Sequence, residues 1–263
     1  MIKKIILFIF TLVIFSCKKD PKTIEKSNGT NNNPFEVTGS VYFSFTNVVG
    51  NQLLSLNIQD YYNSNKDTFK ITTFKYYVSN IKLTRSDGFI YSEPESYHLI
   101  NQADTDGTGK FIIQNIPHGN YTSIQFIIGV DSLRNCDGAQ TGALDVTNDM
   151  FWSWSQGYIF AKLEGTFKHG FIPKNFANHI GGFSFPTNNI KVVSPAFNGN
   201  ILQVDNDHQS KVLYKADLNE WFKMPAGSDF SWFVIYRSIA GGPQMKVIAD
   251  NYATMFSVAA INH

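Results

Sequence analysis

Short segments in which apolar and more polar residues alternate dominate this sequence. Val41, Phe43 and Phe45 alternate with more polar neighbours, and residues 124–128 and 159–163 repeat the pattern. A period of two residues is typical of a β-strand with one buried face. Turn residues separate these segments at 86–88, 117–120, 181–182 and 198–200. Because strands do not alternate regularly with helices, the sequence predicts an all-β fold, an antiparallel β-sandwich with long loops and one or two short helices.

Two segments near the C-terminus are predicted to be those helices. Asp217 and Glu220 have the spacing of a capping box, which predicts a short helix through Trp221 and Phe222. A second helix is predicted to begin at Pro243. Its apolar face would consist of Met245, Ile248, Tyr252 and Met255.

The composition favours a core built from aromatic rings and limits the classes of function. The chain has 23 Phe, and hydrophobic residues make up 43% of it. A formal charge of +1 gives no electrostatic basis for binding nucleic acid. The sequence contains no G-x-S-x-G elbow, no phosphate-binding glycine loop and no dinucleotide-binding motif. We therefore predict a protein that is not an enzyme.

The N-terminus has the features of a secretory signal with a lipidation site. Lys3 and Lys4 precede an apolar run, residues 5–15, that is too short to span a bilayer, and Ser16 and Cys17 follow it. This junction resembles a bacterial lipobox, in which the cysteine thiol is acylated and becomes the mature N-terminus. We predict a signal peptide over 1–16, a lipidated flexible linker over 17–34 and one folded domain over 35–263.

The predicted anchor places the protein in the cell envelope. Lys18, at the second mature position, is not the aspartate that retains lipoproteins at the inner membrane in enteric bacteria, so an outer-membrane location is favoured. Once Cys17 is acylated, Cys136 is the one remaining cysteine, and we expect it to be a free thiol.

The segment from Met150 to Tyr158 contains Trp152 and Trp154, two residues apart. In an extended chain both rings point to the same side. This arrangement is either a structural wedge in a sandwich core or a redox-active or ligand-stacking platform. The residue types alone do not decide between these readings, although core packing is the commoner use of tryptophan.

Several motifs together resemble the MbnP family of periplasmic copper-binding proteins. They are Tyr76–Leu83, Tyr97–Ile100, Ile128–Asp131, the double-tryptophan segment through Tyr158, Leu163–Gly165 and His179–Gly182. The resemblance extends from about Val37 to Phe256, and the double-tryptophan segment is its most specific part.

The resemblance implies copper as the cofactor and a particular modification. In that family a tryptophan is oxidised to kynurenine by a di-haem partner of the MbnH type, which is related to cytochrome c peroxidases, and copper binding is linked to this oxidation. Trp154 is the first candidate here and Trp152 the second. Relatives often carry a His-Pro pair near the C-terminal helix, where this chain has residues 241–245 without histidine, so a ligand there is not carried over.

The histidines show no metal-binding spacing, and each has to be judged separately. His179 precedes a glycine turn that could expose its imidazole at one end of the sandwich, which makes it the best candidate ligand. His98 is second, because its strand would have to bring it to the same end. Met150 or Met245 could add a thioether for Cu(I), although filling the core is the commoner role of methionine.

Asp131 and Glu164 each follow an apolar strand segment. Either carboxylate could orient a ligating histidine or hold the loop 131–149 through its backbone, and we favour the second role. The sequence thus predicts a copper-binding lipoprotein that is the substrate of a di-haem enzyme. The alternative is a non-catalytic binding or structural lipoprotein whose aromatic platform contacts glycans or proteins.

Overall fold

The computed structural model describes residues 37–62, 68–104, 108–137, 140–153, 156–169, 172–184, 188–223 and 238–263. Strands make up most of it. They are β1 (Thr38–Val49), β2 (Gln52–Leu53), β3 (Tyr61–Tyr62), β4 (Thr68–Arg85), β5 (Ile90–Ser92), β6 (Tyr97–Asn101), β7 (Thr108–Pro117), β8 (Gly119–Ile128), β9 (Phe151–Ser153), β10 (Gly157–His169), β11 (Ile172–Gly181), β12 (Lys191–Val193), β13 (Leu202–Val204), β14 (Ser210–Asp217) and β15 (Phe256–Asn262). The α-helices are α1 (Ser132–Cys136) and α2 (Gln244–Tyr252), and short 3₁₀ turns occupy Gly142–Leu144, Val146–Asn148 and Glu220–Phe222.

The smaller of the two sheets is built around β1. Strands β14 and β7 flank β1, β15 extends the sheet beyond β14, and β2 pairs with the end of β1. The β1–β14 pairing is parallel, with Val41 opposite Ser210 and Val48 opposite Asp217. The predicted all-β fold is confirmed, and among the strands that the structure describes every other pairing is antiparallel.

The larger sheet is organised by the long strand β4. One edge of β4 pairs with β10 and then β8, and the other edge pairs with β3, β6 and β5. Val78, for example, lies between His98 of β6 and Ile128 of β8. Strand β11 continues the sheet beyond β10. The first half of β4 therefore runs beside β10, which carries Glu164. Strand β11, which carries His179, lies on the far side of β10.

Aromatic rings fill the space between the sheets, as the composition predicts. The Phe45 ring lies 4.7 Å from Tyr214 and 6.0 Å from Phe126, centroid to centroid. A second cluster lies on the other face of the large sheet. Its buried members are Tyr77, Val130, Leu144, Met150, Tyr158, Ile159 and Phe160. We call the face toward the small sheet the inner face and the one under this second cluster the outer face.

The two helix predictions had different outcomes. Helix α2 begins directly after Pro243 and buries Met245, Ile248 and Tyr252, as predicted, but it ends at Tyr252, so that Met255, which is also buried, lies beyond the helix. The capping-box prediction was wrong, because residues 220–222 form a single 3₁₀ turn without a side-chain cap. Asp217 instead accepts hydrogen bonds from the backbone N–H groups of Gly50, at 2.8 Å, and Asn219, at 3.1 Å. Among the described helices, none has the length and apolar character needed to cross a bilayer.

The expectation of a free thiol at Cys136 was wrong, since Cys136 is disulfide-bonded in the structure. The chain has only two cysteines, and Cys17 lies outside the described residues. A disulfide within the chain and a lipid thioether at Cys17 exclude each other, because both use the same sulfur atom. Because Cys17 lies outside the described residues, the lipid anchor stays a prediction.

Candidate functional site

A loop from Asp131 to Met150 covers the outer face of the large sheet. Asp131 caps α1 by accepting a hydrogen bond from the Arg134 N–H at 3.2 Å. Its other carboxylate oxygen accepts hydrogen bonds from the Tyr97 hydroxyl, at 2.5 Å, and the Asn80 amide, at 3.2 Å. These contacts tie the start of the loop to β4 and β6, and none of them involves a histidine.

Four long side chains of β4 and β10 hold the rest of this loop on the sheet. Each donates a hydrogen bond to a backbone carbonyl of the loop. The pairs are Tyr77 to Ala143 at 3.0 Å, Tyr158 to Leu144 at 2.7 Å, Lys75 to Asn148 at 3.0 Å and Lys162 to Asp149 at 2.5 Å. Because these donors stand on a rigid sheet, the loop has a fixed position above the outer face.

Lys162 is the most buried of the loop-holding cations, with 2% of its surface exposed. Its ammonium also lies 2.7 Å from the Asp149 carboxylate. The hydrogen bond from Lys162 is the main reason that the pKa of Asp149 lies below its ordinary value, and the charges of Lys75 and His179 lower it further. The loop thus places Asp149 where three basic side chains converge. The alternation in residues 159–163 predicts that Lys162 lies on the polar face of its strand, whereas the loop buries it.

His179 and Glu164 form a pair next to these lysines on the outer face. His179 lies opposite Lys162 in the β10–β11 pairing, and Glu164 follows Lys162 by two residues. The His179 Nε2 lies 2.7 Å from Oε1 of Glu164. Burial raises the pKa of Glu164, but hydrogen bonds from His179 and Thr73, with the His179 and Lys162 charges, outweigh it, so the pKa lies below its ordinary value.

The Trp152 ring packs on the same face at the end of β11. Trp152 is half-buried on β9, and a Cβ added to Gly181 would lie 2.7 Å from its Cζ3 atom, so only glycine permits this contact. Gly181 follows His179 by two residues on a strand, which puts their Cβ directions on one face roughly 6.6 Å apart. The Trp152 ring and the His179 imidazole therefore occupy adjacent positions. Trp154 lies outside the described residues.

His98, the second candidate ligand, lies elsewhere. It pairs with Val78 and faces inward, where its ring stacks on Phe111 with 3.6 Å between centroids. Its Nε2 lies 2.9 Å from Glu93. Three interstrand steps, roughly 14 Å, separate β6 from β11, and the two histidines lie on opposite faces. The structure does not bring His98 and His179 together.

The remaining candidate ligands are also dispersed. Met150 and Met245 are buried in the two apolar clusters. His208 pairs with Asp205 at 3.0 Å on an exposed loop, and His263 lies 3.3 Å from the Ser210 hydroxyl. Within the described residues, no three His, Cys, Asp or Glu side chains are grouped so that they could hold a metal ion.

The comparisons with known proteins agree with this fold. The MbnP family profile matches residues 38–234. The solved structure of MbnP from Methylosinus trichosporium is similar, with a TM-score of 0.51 and 15% sequence identity over 79% of this chain and 82% of that chain. A search of curated proteins found no match. The profile covers most of the chain, and the protein therefore belongs to the MbnP family.

Proposed function

We propose that this protein is a copper-binding protein of the cell envelope and the substrate of a di-haem oxidase of the MbnH type, not itself an enzyme. One observation carries the proposal. The Trp152 ring lies against Gly181, two residues from His179 and on the same face. A tryptophan that becomes a metal-binding group has to lie next to a metal ligand, and among the described residues Trp152 lies near the candidate ligand His179.

The described residues at this position supply one donor that suits copper, and they do not group three potential ligands there. His179 offers an imidazole nitrogen, a ligand that suits copper. Its carboxylate partner, Glu164, is the kind of group that orients ligating histidines. Kynurenine adds an aromatic amine and a ketone oxygen that indole does not have. Oxidation of the neighbouring tryptophan would therefore supply further donors beside His179.

The modification requires a partner with oxidising power. Cleavage of the indole C2–C3 bond is a four-electron oxidation that adds two oxygen atoms, for which two molecules of peroxide would be consumed and two of water released. Hydrolysis of the resulting formamide releases formate and leaves kynurenine. The di-haem partner supplies the oxidising equivalents. Trp152 is half-buried at the edge of the outer cluster, so part of its ring is accessible to a docked partner. Trp154, two residues further on, is the other candidate.

The rival proposal is a stacking platform for glycans or proteins. A platform presents the open face of an aromatic ring to its ligand. Trp152 instead packs against both apolar clusters and the Gly181 backbone. This packing argues against Trp152 as an open stacking platform.

The identity of the modified residue is testable by co-expression with a di-haem partner. We expect peptide mass spectrometry to find a net gain of a few daltons, with new near-ultraviolet absorbance, in the peptide that contains residues 152 and 154. If Trp154 is oxidised, Trp154→Phe abolishes the change and Trp152→Phe retains it, and the opposite pattern assigns Trp152. An unmodified wild-type protein, isolated with a partner of confirmed haem content, would favour the platform.

The proposed envelope location depends on Cys17. If Cys17 carries the lipid, Cys17→Ser should release the protein from membranes, and the intact mass of the wild-type protein should include acyl chains. Wild-type protein whose mass shows a disulfide and no acyl chains would contradict the anchor. So would a Cys17→Ser variant that still pellets with membranes after an alkaline wash.

A further inference from the structure

We propose that the surface of the small sheet that points away from the large sheet docks on anionic phospholipid. We call this surface the lysine face, and it lies on the other side of the sandwich from His179. Its side chains come from β1, β7, β14 and β15. They are Tyr42, Ser44, Thr46, Lys110, Ile112, Lys211, Leu213, Lys215, Ser257, Ala260 and Asn262. The inference rests on the proposed envelope location, which puts the chain beside a bilayer.

Strand alternation and register determine which residues form the lysine face. The Phe45 ring points inward and lies 6.0 Å from Phe126 of the large sheet, centroid to centroid. Successive residues of a strand point to opposite sides, so the neighbours of Phe45 on β1 point away from the large sheet. The register places one of them, Ser44, between Lys110 of β7 and Leu213 of β14. The four strands therefore present one continuous surface.

The charges of the lysine face have one sign. The whole chain has 22 basic and 21 acidic residues, whereas the side chains of this face include lysines and no carboxylate. Asp217, at the margin of the face, lies 3.6 Å from the Lys215 ammonium, which leaves the positive charges in excess. From the spacing of strands and residues, the Cβ atoms of Lys110, Lys211 and Lys215 are roughly 12 to 13 Å apart. The face is therefore complementary to a surface of distributed negative charge.

Apolar side chains lie between the lysines. Ile112 is 48% exposed, and Tyr42 and Leu213 are partly exposed. Lysine stems can cover apolar surface while their ammonium groups reach a charged layer. The same combination of basic and apolar side chains holds amphipathic helices at an anionic lipid interface. A broad sheet surface of this composition favours a bilayer over a small ligand.

The predicted anchor would keep this face close to lipid. Residues 18–37 separate Cys17 from Thr38, the first residue of β1. A flexible chain of about 20 residues has an end-to-end distance of roughly 25 Å. The anchor would therefore give the lysine face a high effective concentration at the headgroups, and a weak attraction would be enough to orient the domain.

Vesicle binding tests the proposal in the mature chain, produced without the signal peptide and with Cys17→Ser so that no acyl chain is present. At low ionic strength we expect it to sediment with vesicles that contain phosphatidylglycerol and not with phosphatidylcholine alone. The combined variant Lys110→Gln, Lys211→Gln and Lys215→Gln should bind on the order of 100-fold more weakly, because each lysine near an anionic surface contributes roughly fivefold. Lysines of the linker are common to all variants and do not enter this comparison.

The matched control removes the same charge from exposed positions outside the lysine face. It combines Lys168→Gln, Lys223→Gln and Lys246→Gln and should bind anionic vesicles as the parent chain does. Thermal midpoints of both triple variants show whether they are folded. The exposed Lys211→Gln substitution alone should weaken binding roughly fivefold, which tests the proposal if the triple variant is destabilised.

Lysine acetylation locates the contact. Anionic vesicles should slow the acetylation of Lys110, Lys211 and Lys215, and leave that of Lys223 and Lys246 unchanged. Absence of binding to anionic vesicles, or an equal loss in the face and control variants, would overturn the proposal. A face variant that binds vesicles normally but escapes oxidation by the di-haem partner would also overturn it and assign the face to an acidic protein surface. The vesicle measurements involve neither copper nor haem, so their failure is distinct from a failure of the proposed function.

Discussion

Two histidine–glutamate pairs of similar geometry stand on opposite faces of the large sheet. In the inner pair, Glu93 lies 2.9 Å from His98, and in the outer pair, Glu164 lies 2.7 Å from His179. The inner carboxylate side chain is 10% exposed and the outer one 32%. The inner imidazole is stacked on Phe111 of the opposite sheet, and no such stack is seen for the outer imidazole among the described residues. The same pair of residue types thus joins two sheets on one face and leaves an accessible polar group on the other.

The difference shows that the surroundings of a histidine, more than its first hydrogen bond, determine what it can do. The His98 ring contributes packing between β6 and β7, so copper binding there would have to break the stack on Phe111. His179 lies two residues from Gly181, against which Trp152 packs, and it pairs across the strands with Lys162, which holds the loop. We therefore assign a structural role to the inner pair, and the outer pair remains the proposed metal-binding position.

The largest expected effect on stability comes from the inner pair. His98→Ala removes the stacked ring and leaves Glu93 nearly buried without its imidazole partner. We expect a loss of about 2 kcal/mol in the free energy of unfolding, measured by denaturant titration, with copper affinity unchanged. A fully stable His98→Ala protein would remove the distinction between the two faces.

A smaller effect is expected from the lysine that holds the loop over the outer pair. Lys162→Met keeps an apolar stem but loses the hydrogen bonds to Asp149, at a cost of about 1 kcal/mol. Amide hydrogen exchange should become faster in residues 142–150. Lys246→Met, which removes an exposed contact with Asp250, is the control and should leave that exchange unchanged. Equal exchange in both variants would show that the loop does not depend on Lys162.

The smallest effect is expected from a third pair, the exposed His208 with Asp205. The hydrogen bond from His208 is the main reason that the pKa of Asp205 is lowered from 3.8 to about 2. A carboxyl group with a lowered pKa in the folded state stabilises the protein above the unfolded value and loses this contribution as the pH falls. His208→Ala should therefore lower the thermal midpoint slightly at about pH 5 and not at about pH 2. An equal decrease at both values would exclude this linkage.

Much of the fold could be predicted from residue periodicity. The alternation in residues 41–45 and 124–128 matches β1 and β8, and the apolar face after Pro243 matches α2. The parallel pairing of β1 with β14 could not be predicted, because it joins strands from distant parts of the chain through backbone contacts that any residue type can make. The second apolar cluster was missed because a loop, not a second sheet, covers the outer face.

The site was predictable in its residue types and less so in its arrangement. The sequence selected His179 and Glu164 separately, and their pairing depends on the register between β10 and β11. Lys162 was not selected, since alternation alone marks a lysine on a polar face as exposed. The burial of Lys162 depends on its contact with Asp149. Asp149 lies at the end of the loop and has a left-handed backbone conformation. The contact between Lys162 and Asp149 has no sequence signal, because it depends on how the loop lies on the sheet.

The most direct test of the proposed metal-binding position is a copper titration of protein isolated with the proposed di-haem partner. His179→Ala should lower copper affinity tenfold or more and leave the thermal midpoint of the apo protein nearly unchanged, because the contacts described for the His179 ring do not include a stack between the sheets like that of His98 on Phe111. His98→Ala, measured in parallel, should bind copper like the wild type. A His179→Ala protein with wild-type copper affinity and reduced stability would contradict the account.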